Sequence, residues 1–329
     1  MTIPRIIRNV ATKSYSIRGH RNDIQEECIA IIGDINVGKS TFIAVLIQRI
    51  RQICHQFGWS FCAMDDATIK HYEREYHSPL YLKRRAVKRT FPSEMDDRCP
   101  LLYSLVVKQG HKQKTIALAF FDRAGQDLYD FMRNNLDNME LYRYFYTASG
   151  IVMLIDPLQI PGIREQAVSV YSKTSSVMPY VKANVSDYIS RLAQVIYRCQ
   201  NLSRSKKINI PLAAVVSKID LLGEFIFGAD SSILQPSRHK GDFDIIDFQN
   251  NNDIIEDCIH LHTPHLIQEM SVFKDSAFFG VSALGCNPIP SATAEGGYWL
   301  PHEPRPIRIE DPFLWLLWKF GIIQGNKQR

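Results

Sequence analysis

The sequence predicts an α/β fold: a mostly parallel sheet covered by helices on both faces, with one antiparallel hairpin strand. Three observations predict it. Short β-branched apolar runs alternate along the chain with stretches of helical period, as strands joined by crossover helices require. The first run, 28–33, stops on a glycine and passes directly into a helical stretch from Lys39. The loops richest in polar, chemistry-bearing residues follow the ends of apolar runs, where sheets of this kind bind ligands.

The elements follow in order. CIAIIG (28–33) is continuous and β-branched, a buried strand. A helix is expected from Lys39 to about Ile53, with Phe42, Val45, Leu46 and Ile50 on one face. Residues 57–65 read as a short strand and 66–82 as helical, with Asp66 as N-cap. After the basic stretch 82–91, two strands at 101–108 and 114–122 flank a hairpin turn, Gln109–Gly110–His111. Residues 126–146 read as helix and 150–157 as a strand stopped by proline. A long helix is expected over about 179–202 and a strand over 208–220, with its proline near the start. Residues 225–252, with Gly, Ser, Pro and an Asn run, read as an irregular surface insertion. A helix over about 253–272 leads to the last strand, 275–284. After the Pro- and Gly-rich 287–306, a final apolar helix begins near Asp311, with Leu314, Leu317, Trp318 and Phe320 packing on the sheet. The organisation expected is a basic flexible arm (1–24), one large domain (25–323) and a short tail (324–329).

Composition excludes several classes. At 329 residues, 45% hydrophobic and 22% charged, the chain can bury a large core. A net charge of +5, spread along the chain, gives no dense cationic face for a specific nucleic-acid partner. Seven scattered cysteines with no C-x-x-C pair imply reduced thiols in a cytoplasmic setting, not a disulfide frame or a zinc site. No apolar run reaches the roughly 18 residues of a membrane span. The cations before Asp23 (Arg5, Arg8, Lys13, Arg18 and Arg21) read as a flexible arm, with a transit peptide as the alternative.

Gly33-Asp-Ile-Asn36-Val37-Gly38-Lys39-Ser40 fits G-x-x-x-x-G-K-[ST] in full, after a strand and before a helix. Glycines let the backbone wrap a phosphate, and amide N–H groups at Asn36, Val37, Gly38 and Thr41 can point at the anion. Lys39 would reach the β- and γ-phosphates, and the Ser40 hydroxyl would ligate Mg²⁺. The expected fold is therefore the three-layer P-loop NTPase fold.

Asp122-Arg-Ala-Gly125-Gln126 follows the strand ending at 122. Asp122 can hold Mg²⁺, Gly125 can give its N–H to the γ-phosphate, and Gln126 can orient an attacking water. Ser217-Lys218-Ile219-Asp220 ends the next strand but one; Asp220 can accept from guanine N1–H and the 2-amino group, a donor pair adenine lacks, while the Lys218 stem covers the base. Ser282-Ala283-Leu284 comes after the last strand, where the Ala283 N–H can meet guanine O6. These residues point to GTP and GDP as ligands. A first-switch threonine, closing over γ-phosphate and Mg²⁺, is expected at Thr90, with Thr68 second. The run Lys83, Arg84, Arg85, Lys88 and Arg89 reads as a solvated face or, functionally, as the source of an arginine in cis for the transition state or a site for an acidic partner.

With GDINVGKS, DRAGQ, SKID and SAL in this order, residues 28–284 resemble the translation-factor-related (TRAFAC) class of P-loop GTPases. Within that class the chain is similar to the bacterial double-GTPase family, through the long stretch before DRAGQ, the VMLIDP strand and the closing EDPFLWLL. The resemblance implies a GTP-hydrolysing regulator, often in a bacterial defence module, acting through effector or activating proteins. It carries over the phosphate and metal roles to Lys39 and Ser40, the second-switch roles to Asp122, Gly125 and Gln126, and guanine reading to Lys218 and Asp220. Ser217 departs from the family's Asn or Thr and weakens the expected brace between base loop and phosphate loop. The alternatives are an ATP-using P-loop enzyme, kinase or ATPase, and a nucleotide-bound scaffold without hydrolysis.

Overall fold

Strand β1 (Ile24–Gly33) starts four residues ahead of the apolar run, because Ile24–Glu27 pair with Thr115–Leu118 of the neighbouring strand. The structure is a computed structural model and describes residues 24–34, 36–87, 100–109, 112–122, 146–171, 185–291 and 297–327. Helix α1 (Lys39–Phe57) follows, then β2 (Ser60–Ala63), α2 (Asp66–Tyr72), β3 (Leu101–Gln109), β4 (Lys112–Asp122), β5 (Gly150–Ile155), α3 (Pro161–Tyr171) and α4 (Val185–Cys199). The second half holds β6 (Leu212–Val216), β7 (Phe243–Asp244), α5 (Ile245–His262), α6 (Pro264–Met270), β8 (Ser276–Gly280), β9 (Ile289–Pro290), β10 (Tyr298–Trp299), α7 (Asp311–Lys319) and β11 (Gly325–Asn326).

The main sheet has seven strands in the order β2-β3-β4-β1-β5-β6-β8. Strands β4, β1, β5, β6 and β8 run parallel, and β3 alone runs against its neighbours, pairing antiparallel with both β2 and β4. This is the expected α/β arrangement. Alternation along β1 sorts the two cores: Ile29 and Ile31 pack with α1 and α7, while Cys28, Ala30 and Ile32 pack with α4, α5 and α6. Helix α7 is buried from Asp311 through Leu317, with Trp315 in contact with Phe248 and Phe279, so the closing aromatic segment is core.

Several boundaries differ from expectation. The N-cap of α2 is Asp65, not Asp66: the Asp65 carboxylate accepts from the Thr68 N–H at 2.6 Å. The helical path then widens into a π-type turn, Glu73–Leu82, which accommodates Pro79. Residues 245–252, expected to be irregular, form the first turns of α5. Asp244 caps that helix by accepting from the Asp247 N–H at 2.9 Å, and Asn251 is buried with its amide donating to the Asp247 carbonyl at 2.6 Å. The expected helix over 253–272 is split at Thr263, because Pro264 starts a new helix. The sequence reading missed α3. The expected helix over 126–146 lies, but for its last residue, outside the described residues, as do the N-terminal residues 1–23.

A buried ionic cluster joins the irregular segment before α5 to the C-terminal segment. Arg308 pairs with Asp247, and its Nε lies 3.0 Å from Asp311 Oδ2. Glu310 accepts from Arg49 at 2.7 Å and from the Ser237 hydroxyl at 2.7 Å. His239 sits 3.4 Å from Asp311 Oδ1, and its Nδ1 accepts from the Asp244 N–H at 3.0 Å. The carboxylates of Asp247 and Asp311 with the His239 imidazole lie close enough to share a cation, but the Arg308 guanidinium already bridges both carboxylates. The cluster is a structural tie.

Candidate nucleotide-binding site

The loop 33–40 leaves the centre of the sheet and turns into α1. A Cβ on Gly33 would sit 2.8 Å from the Leu154 carbonyl oxygen and 2.8 Å from Val37 Cγ1, so only glycine lets the loop leave β1 beside β5. Gly38 has φ 95, the left-handed region that other residues adopt at a cost, and it is followed by a helix start with no side-chain cap. Asn36 is also left-handed, φ 63. Successive turns of this kind make a concave run of N–H groups, and the α1 macrodipole adds positive potential there.

Lys39 is buried, 8% exposed, and its ammonium donates to the Gly33 carbonyl at 2.8 Å and the Asp34 carbonyl at 2.9 Å. The side chain thus lies back across the loop whose anion it would hold. Ser40 and Thr41, both half-buried, occupy the first turn of α1. Val37 is buried and Asn36 exposed, so the loop turns one side to the core and the other to solvent.

The base loop leaves β6 at the same end of the sheet, because β6 runs parallel to β5 and β5 to β1. Ser217 is buried, with its hydroxyl 3.2 Å from the Val37 carbonyl and 3.1 Å from the Ile155 carbonyl. A hydroxyl has one proton to donate, so the two acceptors share it. The brace expected to be weak is therefore present in a shared form. Lys218 holds a left-handed φ of 53, an unusual conformation for lysine. Its ammonium donates to Asp156 Oδ2 at 2.6 Å and to the Asn36 carbonyl at 3.2 Å. Asp220 lies half-buried in the short turn Ile219–Leu222.

The loop after β8 comes alongside. The Val281 N–H bonds to Val216 O at 2.9 Å, and the Ile219 N–H bonds to Val281 O at 3.1 Å. Ser282 is buried, exchanges two backbone bonds with Ile307, and accepts from the Gly285 N–H at 2.9 Å. Ala283 is half-buried against the core. Burial first, and then the charge of Asp220, raise the Cys286 thiol above its ordinary pKa. The six described cysteines are all free thiols.

Asp122 ends β4 opposite Ile31, two residues short of Gly33 on the adjacent strand, so its backbone stands at the mouth of the phosphate loop. Its side chain, together with Arg123, Gly125, Gln126 and Thr90, lies outside the described residues. Thr68 is buried, and its hydroxyl accepts from the Leu102 N–H at 3.1 Å, which ties α2 to β3 and suits it poorly to a mobile switch. The start of the basic run joins a small sheet. Ala86 N–H bonds to Tyr298 O at 2.9 Å, Leu300 N–H bonds to Arg84 O at 2.8 Å, and the Arg85 guanidinium lies 4.6 Å over the Trp299 ring.

The sequence reading missed Asp156, Gln159 and Asp34. Asp156 is 1% exposed at the end of β5, and Gln159 donates to Asp34 Oδ2 at 3.0 Å. The available signal was a third aspartate at a parallel-strand end, in the same place as Asp122 and Asp220.

The described loops fit a nucleoside triphosphate: the turn demands glycine where a phosphate would approach, a buried ammonium crosses it, and the Ser40 hydroxyl, a hard oxygen donor suited to a divalent cation, stands in the first turn of α1.

The family model described as Double-GTPase 2 matches residues 27–255, more than half of the chain. A protein of Mycolicibacterium smegmatis described as "Putative ESX-1 scaffolding and assembly protein SaeC" is 25% identical over 316 residues, covering 90% of this chain and 75% of that protein. Solved structures that align include Sup35 complexed with GDP (12% identity, TM-score 0.30, 83% of this chain and 41% of that one). Methanosarcina barkeri Roco2 RocCORdC bound to GDP aligns at 10% identity and TM-score 0.28, over 82% of this chain and 46% of that one. The chain spans less than half the length of these solved chains.

Proposed function

The chain belongs to the Double-GTPase 2 family, whose model covers the phosphate loop and the base loop together, and from that premise we propose that it binds GTP and GDP with Mg²⁺ and hydrolyses GTP. The observation that carries this reading is the pair of bonds between base loop and phosphate loop, Ser217 to the Val37 carbonyl and Lys218 to the Asn36 carbonyl. They support a reading in which Asp220, two residues beyond Lys218, meets the base while the linked loop holds the phosphates.

In this reading the amides of Asn36, Val37, Gly38, Lys39, Ser40 and Thr41 surround the phosphates, and Lys39 exchanges its carbonyl partners for phosphate oxygens. Ser40, Asp122 and Thr90 would hold the magnesium ion, which neutralises charge on the β- and γ-oxygens. Gly125 donates its N–H to the γ-phosphate and Gln126 orients water. The water oxygen forms a bond to γ-phosphorus in line as the bond to the β–γ bridging oxygen breaks, yielding GDP and phosphate. Lys218 covers the base, Asp220 accepts its N1–H and 2-amino protons, and the 282–283 loop faces its O6.

The biological role in this reading is a cytoplasmic switch acting through protein partners, in keeping with the family resemblance to bacterial defence GTPases and with the scaffolding description of the mycobacterial relative. The small sheet would serve as the partner surface in this reading: Ile289, Tyr298 and Trp299 are exposed on it, and Leu82, Lys83 and Arg84 are exposed in the segment that leads to it. No helix among the described residues is long and apolar enough to cross a membrane.

Thermal unfolding with GTP, GDP and ATP, each with and without Mg²⁺, tests the reading. A nucleotide at a hundredfold excess over its dissociation constant stabilises the protein by about 2.7 kcal/mol. GTP and GDP are expected to raise the midpoint and ATP is not; equal shifts for ATP and GTP would overturn it. Single-turnover hydrolysis is expected to be slow and to fall further in Gln126→Leu.

A further inference from the structure

The phosphate loop and the base loop are joined to each other through two thin bonds, and each is also anchored to a third segment, 156–159, to which the sequence motifs give no role at the nucleotide. Residues 156–159 turn sharply out of β5. Asp156 Oδ1 accepts from the Leu158 N–H at 3.0 Å, and the Gln159 N–H bonds back to the Asp156 carbonyl at 2.9 Å. The other carboxylate oxygen, Oδ2, takes the Lys218 ammonium at 2.6 Å. The Gln159 amide reaches Asp34, the second residue of the phosphate loop, at 3.0 Å. Asp156, Gln159 and Asp34 are all nearly inaccessible, at 1%, 5% and 4% exposure.

The geometry points to Asp156 as a positioning residue for guanine recognition, acting through Lys218, with Gln159 as its counterpart on the phosphate loop. This inference rests on the guanine-nucleotide reading above. Lys218 is more than one-third exposed and carries a long flexible stem. Held only by the Asn36 carbonyl at 3.2 Å, it would sample many rotamers, and ordering it over a base would cost side-chain entropy. A buried carboxylate at 2.6 Å removes that freedom before the ligand arrives, so the stem is already laid across the base position. The same corner ties the Asp34 carboxylate into the wall of the phosphate loop, and the two loops then keep one spacing.

Asp156→Asn is the test, because asparagine keeps the size of the side chain and an oxygen for the Leu158 N–H but drops the charge that holds Lys218. Three quantities are measured on the full chain: the dissociation constants for GDP, ADP and inorganic tripolyphosphate. The expected result is a tenfold or greater loss of GDP affinity, an equal fall in the GDP-to-ADP preference, and unchanged tripolyphosphate binding. In a Lys218→Met background, Asp156→Asn is expected to have no further effect. Wild-type GDP preference retained in Asp156→Asn, or a further loss in the Lys218→Met background, overturns the inference. A wild-type protein that binds ADP as well as GDP overturns instead the guanine reading beneath it. If Asp156→Asn does not fold, Asp156→Ser, which still offers an oxygen to Leu158 N–H, is measured in its place with the same criteria.

Discussion

Lys39 and Arg308 are both buried cations, 8% and 2% exposed, yet their surroundings differ in kind. Lys39 donates to main-chain carbonyls of its own loop. Arg308 lies between the carboxylates of Asp247 and Asp311, with Glu310 and Arg49 forming a second pair alongside. Carbonyl dipoles solvate a cation without cancelling its charge, and a phosphate can displace them. Carboxylates cancel the charge and hold on. Burial of a charged group therefore does not mark a binding site by itself; the kind of partner does.

Arg308→Leu should break this contrast from the structural side with the largest effect. It leaves Asp247 and Asp311 buried without their cation, an arrangement that costs about 3–5 kcal/mol. Urea unfolding without nucleotide should show that loss, while GDP affinity of the folded fraction stays at the wild-type value. A weakened GDP affinity in folded Arg308→Leu would mean that the ionic cluster and the nucleotide loops are coupled.

Lys39→Ala is the converse. Losing a buried, charge-paired donor to the phosphates should cost about 2–5 kcal/mol of binding free energy, roughly 30- to 4,000-fold in affinity. The unliganded protein should lose less than this on urea unfolding, since the Gly33 and Asp34 carbonyls that Lys39 leaves are neutral acceptors, and a neutral hydrogen bond is worth about 0.5–1.5 kcal/mol. Nucleotide uptake unchanged in Lys39→Ala would remove the phosphate loop from the account.

The two regions also differ in how far the sequence disclosed them. The phosphate loop was legible because its requirements are local: glycine where a Cβ would strike Leu154, glycine again at a left-handed φ, and lysine at the helix start. The parallel sheet was legible from its continuous β-branched strands. The ionic cluster was not, since Arg49 meets Glu310 across 261 residues and no periodicity announces such a meeting. Asp156 and Gln159 were hidden for the same reason, reaching partners 62 and 125 residues away. The Asn run at 250–252 misled because asparagine favours turns, whereas here Asn251 is bonded inside α5 and Asn252 accepts from the Phe278 N–H at 2.8 Å. Tertiary partners overrode local preference there.

Acid should separate the regions further. Burial pushes the Glu310 carboxyl up, but the hydrogen bond and charge of Arg49, with the Ser237 hydroxyl, outweigh it and leave its pKa below the ordinary 4.5. A carboxyl whose pKa is depressed on folding contributes stability that is complete above its unfolded value and is lost as pH falls through the folded one. Stability should therefore decline below about pH 4.5, and Glu310→Gln should flatten that decline. At pH 7 the same variant should lose about 1.5–3 kcal/mol, the usual worth of hydrogen bonds to a charged group. An unchanged acid limb in Glu310→Gln would assign the decline to other carboxylates.

The smallest effect is expected at Ser217, which touches the loops and no charged group. Its single proton is shared between Val37 O at 3.2 Å and Ile155 O at 3.1 Å, so Ser217→Ala removes one neutral hydrogen bond. Such a bond is worth about 0.5–1.5 kcal/mol, or roughly 2- to 12-fold in an equilibrium constant. If the bond sets the spacing between base and phosphate loops, GDP affinity should fall by that factor while tripolyphosphate affinity, which needs one loop only, should not. Equal losses for both ligands would mean that Ser217 shapes the phosphate loop itself, through Val37, and that the separation of the loops is set by the β5 corner alone.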